Sequence, residues 1–406
     1  MISITDLMKS LNVEKYPERW DKIYHEVMKE YEIDGAFFAD EEYITKLNYE
    51  FCLFDDWFET ILKAAKQVRE NPNLSKYIYL LYHAMQDRNA FPSEIKEITP
   101  PLAPVGTDTY AYDFLLLFAV LPTIPKSAQA MKNRGVPENV FNETLKSYER
   151  LINLTNEIYG KPGLSFKRYL GWIQIYIDAE ILGIGRLNFN VCKHFNGCVY
   201  VLKNKHDEIK MLMTGVRLHK GGMVFGSPGY QNEELAYDAD FCETDEYFEG
   251  YPVGDDGLAG ECRIRLSKTE WRIVLSPEDS VIGVHIPSAK HGGRLSEEAC
   301  EDSYTNAREI FSRCYPEYDF KAFTCGSWLM DNQLGQFLSG DSGIMRFQRK
   351  YLLYPRPATG RAVFSFLFTK PFEKLEELPE DTSLQRAIKY HYLNGKYIYE
   401  QGGVFF

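Results

Sequence analysis

The segment from Ser280 to Cys314 constrains the fold of this chain more than any other. It opens with an apolar, largely β-branched run, Val281 to Ile286, which predicts a buried strand ended by Pro287. The loop Ser288 to Arg294 follows, with paired glycines and basic side chains. Ser296 is a good helix N-cap, and an amphipathic pattern continues after it. A glycine loop that leads into a helix can hold phosphate, because backbone N–H groups and the helix dipole face the anion.

The loop itself contains residues suited to a phosphorylated ligand. Gly292 and Gly293 would let the backbone approach a diphosphate, and Lys290 and Arg294 would neutralise its charge. The alternative is an ordinary strand-to-helix turn that needs a positive φ. The spacing is neither the three-glycine dinucleotide fingerprint nor a Walker loop, which ends in Gly-Lys-Ser/Thr. Glu297-Glu298 in the first helical turn would satisfy the dipole themselves, which argues against phosphate.

Composition limits the class of protein. The 406 residues are 45% hydrophobic and 15% aromatic, which predicts a folded chain of two or three domains. A net charge of −12 makes nonspecific binding to nucleic acid or to an anionic membrane unfavourable. The eight cysteines form no CxxC pair and no zinc-ligand spacing, so we interpret them as reduced thiols. With no signal peptide visible and the longest apolar run, Phe114 to Pro122, too short to span a bilayer, we expect a cytoplasmic protein without metal, nucleic-acid or membrane partners.

Periodicity divides the chain into two regions. Apolar residues recur at helical spacing in several early stretches: Asp6 to Leu11, Glu18 to Glu32, Asp56 to Arg69, Leu74 to Gln86, Val140 to Tyr159 and Phe166 to Leu182. From Gly185 onward β-forming residues alternate or cluster. The sequence therefore predicts a mainly helical N-terminal domain, residues 1–160, and a second domain, residues 161–406, with a mixed β-sheet flanked by helices. The fold class is α+β or α/β.

Some elements of the second region are predicted individually. Lys268-Thr269 could join two short strands as a hairpin. The acidic stretch Glu233 to Asp256 is interpreted as a solvated loop, with a metal site as the second choice. Further strands are predicted at Ile344 to Leu353 and Arg361 to Thr369, and a helix at Leu384 to Leu393.

Some side chains could carry chemistry. His285 ends the predicted strand and could accept a proton at neutral pH, although a packed core histidine is the alternative. Ser327 and Asp331 follow the next strand, and we favour capping of the following helix for both. No GxSxG elbow surrounds Ser327, and we interpret nearby Cys325 as a buried structural thiol. Arg186 could meet an anionic ligand, but we favour its pairing with an acidic side chain.

The run HIPSAKHGGRLSEEACEDSYTNAREIFSRCYPEYDFKAFTCGSWLMD, from His285 to Asp331, resembles the C-terminal module of a bacterial family of acyltransferases. That family is described as GNAT-like, with an accompanying N-terminal acyltransferase-type domain. GRLNF at Gly185 to Phe189, SGIMRFQ at Ser342 to Gln348 and the GGVFF ending are similar to the same family. The resemblance implies a GNAT-like sheet in residues 161–406.

The resemblance also implies site residues. GNAT enzymes move an acyl group from coenzyme A to an amine, and their cofactor loop follows the fourth core strand as Gln/Arg-x-x-Gly-x-Gly/Ala. Here the loop has contracted spacing and Lys in place of Arg, and the implied cofactor-binding residues are Ile286, Lys290, His291, Gly292, Gly293 and Arg294. Such enzymes often place a tyrosine acid on the helix after the fifth strand, but Asp331 to Leu338 has none, and Tyr351 and Tyr354 are nearby substitutes. The implied catalytic candidates are His285, Ser327 and Tyr351.

Three hypotheses follow for the function. The leading one is an acyl-CoA-dependent N-acyltransferase that uses acyl-CoA or acetyl-CoA as co-substrate and a small-molecule amine as acceptor. The second is a noncatalytic ligand-binding or regulatory protein on a GNAT-derived scaffold, favoured by the missing tyrosine and the contracted loop. The third and weakest is a cysteine or serine hydrolase. The acceptor, the acyl length and the oligomeric state stay open at this stage.

Overall fold

A computed structural model describes residues 2–104, 109–164, 166–288, 292–368 and 372–406. The chain divides into two compact units, Met1–Gly183 and Ile184–Phe406. The domain boundary expected between residues 160 and 161 lies before the last helix of the first unit, and the division into domains 1–160 and 161–406 stays a prediction.

The regular elements of the first unit are helices in its described residues, apart from the strand that crosses its boundary with the second unit. Its α-helices are α1 Ile4–Ser10, α2 Glu18–Asp34, α3 Glu41–Phe51, α4 Phe58–Arg69, α5 Pro72–Gln86, α6 Phe91–Glu94, α7 Leu115–Val120, α8 Ile124–Asn133, α9 Glu138–Leu145, α10 Ser147–Tyr159 and α11 Phe166–Ile177. Short 3₁₀ turns lie at Phe37–Ala39, Ile95–Glu97 and Leu121–Thr123. Every residue of α7 is buried, and α5 contributes nine buried residues, because its segment from Leu74 to Met85 is apolar on most sides.

One sequence prediction in the first unit is wrong, and two helices there were not predicted. The helix expected from Val140 to Tyr159 is two helices, α9 and α10, separated at Lys146. Helix α3 was not predicted, although Asp40 caps it by accepting a hydrogen bond from the Tyr43 amide. The apolar run at Phe114 to Pro122 forms the short buried helix α7 and the turn after it.

The second unit contains fourteen strands in the described residues, counting the one that the unit boundary crosses. They are β1 Ile181–Ile184, β2 Leu187–Cys192, β3 Val199–Asn204, β4 Ile209–Met213, β5 Val216–His219, β6 Ala236–Ala239, β7 Cys242–Glu243, β8 Tyr247–Pro252, β9 Ile264–Ser267, β10 Trp271–Leu275, β11 Val281–His285, β12 Phe323–Ser327, β13 Leu352–Tyr354 and β14 Gln401–Phe405. Its helices are α12 Glu297–Cys314, α13 Gly343–Arg349, α14 Ala362–Leu367 and α15 Ser383–Leu393. Further 3₁₀ turns lie at Glu233–Leu235, Trp328–Met330, Asn332–Gln336 and Leu375–Glu377.

The main sheet is mixed and has the strand order β1-β2-β11-β12-β14-β13. Strand β11 pairs antiparallel with β2 and parallel with β12, and helix α12 connects the two parallel strands. Strand β14 pairs antiparallel with both β12 and β13. A second sheet has the order β10-β3-β4-β8-β7 with β9 beside β8, and β5 pairs with β6. The predicted fold class, a helical region followed by a mixed sheet flanked by helices, is confirmed.

Other predictions in the second unit are wrong. Lys268-Thr269 does not close a hairpin, because β9 pairs with β8 and β10 pairs with β3. The segment expected as a strand from Ile344 to Leu353 is helix α13 followed by the short strand β13. The segment after Arg361 is helix α14. The acidic stretch expected to be a loop contributes β6, β7 and β8 to the sheets.

Two features are absent from the residues that the structure describes. No group of three His, Cys, Asp or Glu side chains there could hold a metal ion. None of the helices in those ranges combines the length and the apolar character of a membrane span.

Candidate functional site

The two faces of the main sheet differ in character. Alternate residues of a strand share one face, so Phe189, Phe323 and Phe405 point together toward α12. There they pack around Tyr304, with ring centroids 5.9, 5.3 and 4.8 Å from its own. The remaining residues of β2, β11 and β12 form the opposite face. Five of them lie toward the ends of these strands: Asn188, Asn190, His285 and Thr324, which are polar and partly buried, and Gly326, which is exposed. We call this group the polar face.

A histidine and an asparagine are joined across the polar face. His285 Nε2 lies 2.7 Å from Asn190 Oδ1, because His285 and Gly283 pair with Asn188 and Asn190 in the β11–β2 register. Desolvation of the ring lowers the pKa of His285 to about 4. The ring is therefore uncharged at neutral pH.

The two parallel strands pair over a short length. Their pairing covers Ile282 with Phe323 and Gly283 with Thr324, while the strands continue to His285 and Ser327. Backbone groups at the carboxyl ends of the two strands are thus not paired with each other. In open sheets, ligands bind where the carboxyl ends of parallel strands separate.

Arg356 covers the end of β12 on the polar face. A Cβ on Gly326 would lie 1.8 Å from Arg356 Nη1, so the guanidinium occupies the space that a side chain would fill. If the β11–β12 register continued, Gly326 would be level with His285. The geometry places a cation and an imidazole on the same face of neighbouring strands.

The strand and the helix predicted on either side of the loop are β11 and α12, and the loop is described at residues 286–288 and 292–296. Ile286 is partly buried, Gly293 has φ of 75°, and Arg294 is exposed. Ser296 caps α12 by accepting a hydrogen bond from the Ala299 amide at 3.2 Å. Lys290 and His291 lie outside the described residues.

Arg186 lies beneath this loop. Its Nη2 donates to the carbonyl of Pro287 at 2.8 Å, and a Cβ on Gly292 would lie 2.6 Å from its Nη1. The pairing of Arg186 with an acidic side chain, which we favoured from the sequence, is wrong for the part of the chain that the structure describes, since no carboxylate there lies within 4 Å. Burial lowers the pKa of Arg186.

A cleft of about 300 Å³ opens beside the start of α12. Its acidic lining residues are Glu297 and Glu301 on α12. Its basic lining residues are Arg346 and Arg349 on α13 and Lys350, which follows α13. Lys350 pairs with Glu301, and Arg346 lies 3.9 Å from Glu297. One acid of the first turn of α12, Glu297, and one acid of the next turn, Glu301, therefore have basic neighbours across the cleft.

Ser327 and Asp331 both cap turns after β12. Ser327 Oγ accepts from the Leu329 amide at 3.1 Å, and Asp331 accepts from the amides of Gln333 and Tyr399 at 2.8 and 2.5 Å. Burial raises the pKa of Asp331 to about 6. The capping that we favoured from the sequence is present for both residues.

Tyr351 and Cys325 are buried. The Tyr351 hydroxyl lies 2.8 Å from the Tyr304 hydroxyl inside the aromatic cluster, and burial raises its pKa well above 10. Burial also raises the pKa of the Cys325 thiol to about 12, which keeps it protonated and a poor nucleophile. Catalytic roles for His285, Ser327 and Tyr351 stay predictions.

Sequence reasoning missed two members of the site. Asn190 and Arg356 were not singled out, and only the alternation of Asn188 and Asn190 with apolar residues in β2 signalled a strand with one polar face. Arg356 reaches Gly326 from beyond β13, a proximity that no local pattern encodes.

Comparisons with known proteins bear on this arrangement. Residues 181–405 match the family described as the GNAT-like C-terminal domain. No curated protein matches the chain.

Solved structures resemble the chain over nearly its whole length. A mutant acyltransferase in complex with octanoyl-CoA has a TM-score of 0.60 and 19% sequence identity, with 99% of each chain covered. An acyltransferase in complex with decanoyl-CoA and teicoplanin has the same values, a TM-score of 0.60, 19% identity and 99% coverage of both chains. An acyltransferase in complex with CoA and 10C-teicoplanin has a TM-score of 0.58 at 18% identity, again covering 99% of each chain. At these identities the likeness shows a shared fold.

Proposed function

The chain belongs to the GNAT-like C-terminal domain family, and from that membership we propose that it transfers an acyl group from acyl-CoA to an amine of a small-molecule acceptor. The observation that carries the proposal is the pair of parallel strands, β11 and β12, whose pairing ends before their carboxyl ends and whose connection is a glycine loop leading into α12. The resemblance of the whole fold to acyltransferases crystallised with acyl-CoA supports it. We further propose that Met1–Gly183 is the accompanying acyltransferase-type domain and that the protein is bacterial.

The loop and the helix suit the donor. Gly292 and Gly293, with the first amides of α12, would hold the diphosphate, since a helix N-terminus presents unpaired N–H groups to an anion. The pantetheine arm would then lead toward the carboxyl ends of β11 and β12. Backbone N–H groups near these strand ends would polarise the thioester carbonyl.

His285 suits proton transfer during attack. Its low pKa keeps the ring neutral, and Nε2 donates to Asn190 Oδ1, which fixes the orientation of the ring. A base with a pKa of about 4 is weak toward a free ammonium ion. The amine nitrogen becomes far more acidic once it has bonded to the carbonyl carbon, and we propose that His285 takes its proton at that stage, directly or through water. The Ser327 hydroxyl caps the turn after β12 and the Tyr351 hydroxyl is buried against Tyr304, so we assign neither of these sequence-predicted candidates a step, and a role for Tyr351 is tested below.

Binding and turnover test the proposal separately. Calorimetry of the full chain with acetyl-CoA, octanoyl-CoA and decanoyl-CoA should show micromolar binding of at least one thioester. A thiol-release assay with a panel of primary amines should then show CoA release that depends on the amine. Absence of binding by all three thioesters at millimolar concentration would contradict the proposed function.

A second candidate is a protein that binds acyl-CoA without turnover. The observation that favours it is the low pKa of His285, which leaves the polar face without a base poised near neutral pH. It predicts calorimetric binding of the thioesters with no amine-dependent release of CoA. Steady release over several turnovers would eliminate this candidate.

A further inference from the structure

A buried arginine without an anionic partner lies beside the proposed donor site. Arg186 is only 6% exposed, and its Nε and Nη1 atoms have no hydrogen-bond partner in the described part of the chain. Buried charges are normally paired, and unpaired buried donors are uncommon because each carries a desolvation cost. The side chain therefore needs an explanation beyond packing.

The surroundings hold this arginine in place on two sides. The Arg186 amide donates to Ser303 Oγ at 2.8 Å, and Ser303 in turn donates to the carbonyl of Ala299, so the β1–β2 turn is fastened to α12. At the other end Nη2 donates to the Pro287 carbonyl. Gly292 lacks the Cβ that would displace Nη1. The guanidinium is thus fixed between the end of β11 and the start of α12.

We propose that Arg186 is an anion-binding residue that holds the diphosphate of acyl-CoA together with the N-terminus of α12. This inference rests on the proposed function and names a ligand for its donor. The unpartnered Nε and Nη1 atoms of Arg186 together carry three N–H donors. The planar arrangement of guanidinium donors fits the spacing of phosphate oxygens. Ser296 marks the helix N-terminus, whose partial positive charge adds to that of the arginine.

The acidic side chains at the start of α12 do not form an ion pair with Arg186 in the described part of the chain. Glu297 and Glu298 are both exposed, and the Glu297 carboxylate lies 3.9 Å from Arg346 on the side of the cleft. Arg186 faces Pro287 and Gly292 instead. A diphosphate at the loop would give the buried cation the counter-charge that the described chain lacks.

Ligand truncation and substitution test the inference together. We expect Arg186→Met to raise the calorimetric Kd for CoA at least tenfold and to change the Kd for S-octanoylpantetheine, which lacks the diphosphate, less than twofold. The Kd of Arg186→Lys for CoA should lie between those of the unaltered protein and Arg186→Met. Arg313→Met is the matched control, because Arg313 lies on α12 in an exposed pair with Glu309; it should bind CoA as the unaltered protein does. An unchanged CoA affinity in Arg186→Met, or an equal loss for S-octanoylpantetheine, would overturn the inference.

Inorganic pyrophosphate separates this inference from the proposed function. Millimolar pyrophosphate should raise the Tm of the unaltered protein, with chloride at equal ionic strength as the control, and should raise that of Arg186→Lys by less than half as much. This measurement also serves if Arg186→Met does not fold. If no CoA species binds, the proposed function fails, while a pyrophosphate shift that depends on Arg186 still supports the anion site. Equal shifts in both proteins, or none, would count against it.

Discussion

His285 Nε2 lies 2.7 Å from Asn190 Oδ1, and this contact determines which ring nitrogen carries the proton. The Asn190 amide group donates to the Val191 carbonyl at 3.1 Å, so its oxygen is the atom turned toward the histidine. Because a carbonyl oxygen only accepts, Nε2 donates and the neutral ring has its lone pair on Nδ1. Asn190 therefore orients the residue that we propose for proton transfer.

His285→Gln should weaken the dependence of stability on acid. The folded pKa of about 4 lies below the unfolded value of about 6.5, so the unfolded state binds the proton first and the stabilising effect is lost as the pH falls from 6.5 toward 4. The free energy of unfolding should therefore drop less between pH 7 and pH 4.5 in the variant, as measured by urea denaturation. Asp331, whose pKa is raised to about 6, titrates in both proteins and cancels in the difference. If the free energy of unfolding fell equally with pH in the unaltered protein and in His285→Gln, the His285 ring would not be desolvated.

Tyr351→Phe and Tyr304→Phe form a matched pair. Each removes one hydroxyl of a buried hydrogen-bonded pair and leaves the other without its partner, which should lower the free energy of unfolding by about 1–3 kcal/mol in both variants. Because both hydroxyls lie in the aromatic cluster, we expect equal kcat values in the thiol-release assay. A kcat lowered tenfold or more by Tyr351→Phe alone would instead identify Tyr351 as the acid that protonates the departing thiolate.

Gly292→Ala and Gly293→Ala separate backbone strain from displacement of Arg186. Gly293 has φ of 75°, and no atom of the described residues lies within 4 Å of the place where a Cβ would stand, so alanine there should cost about 1 kcal/mol of stability through strain alone. Alanine at Gly292 would push Arg186 Nη1 away. We expect Gly292→Ala to raise the Kd for CoA several-fold more than Gly293→Ala does. The reverse order in calorimetry would mean that Arg186 contributes little to the site.

Gly326→Ala tests whether the polar face receives the acceptor. The added methyl group would displace the Arg356 guanidinium, a flexible group, so the cost in stability should stay below about 1 kcal/mol. If the amine binds beside His285, kcat/KM for the amine should fall while the KM for acyl-CoA stays constant. Gly335→Ala is the control, because its Cβ would meet only the end of Met345 at an ordinary 3.6 Å. A higher KM for acyl-CoA with an unchanged kcat/KM for the amine would instead mean that Arg356 lies beside the acyl-CoA site.

The parts of the site that the sequence predicted are those with local causes. The strand, loop and helix from Val281 to Cys314 follow from side-chain alternation and the Ser296 cap, and both signals lie within a few residues of the structure they specify. Helix α13 was mistaken for a strand although Ser342 caps it through the Met345 amide. Its apolar residues are too few to fix a period by themselves.

The parts that could not be predicted depend on distant residues. Strand β14 contains Gly402 and Gly403, which disfavour a strand when judged alone. Their small size is required because the rings of Tyr354 and Tyr351 cross them from β13 and its flank. The burial of Arg186 has the same origin, since the residues that enclose it come from beyond β11.

The position of β14 has a consequence for how the second unit assembles during synthesis. Phe405 pairs with Phe323, and Val404 pairs with Leu352, so β14 separates two strands that precede it in the chain. Until residues 401–405 have left the ribosome, β12 presents an unpaired apolar edge, which is the kind of surface that aggregates during slow, long-range pairing. The main sheet can therefore close only after translation of this segment, and chaperone dependence should be concentrated in that interval.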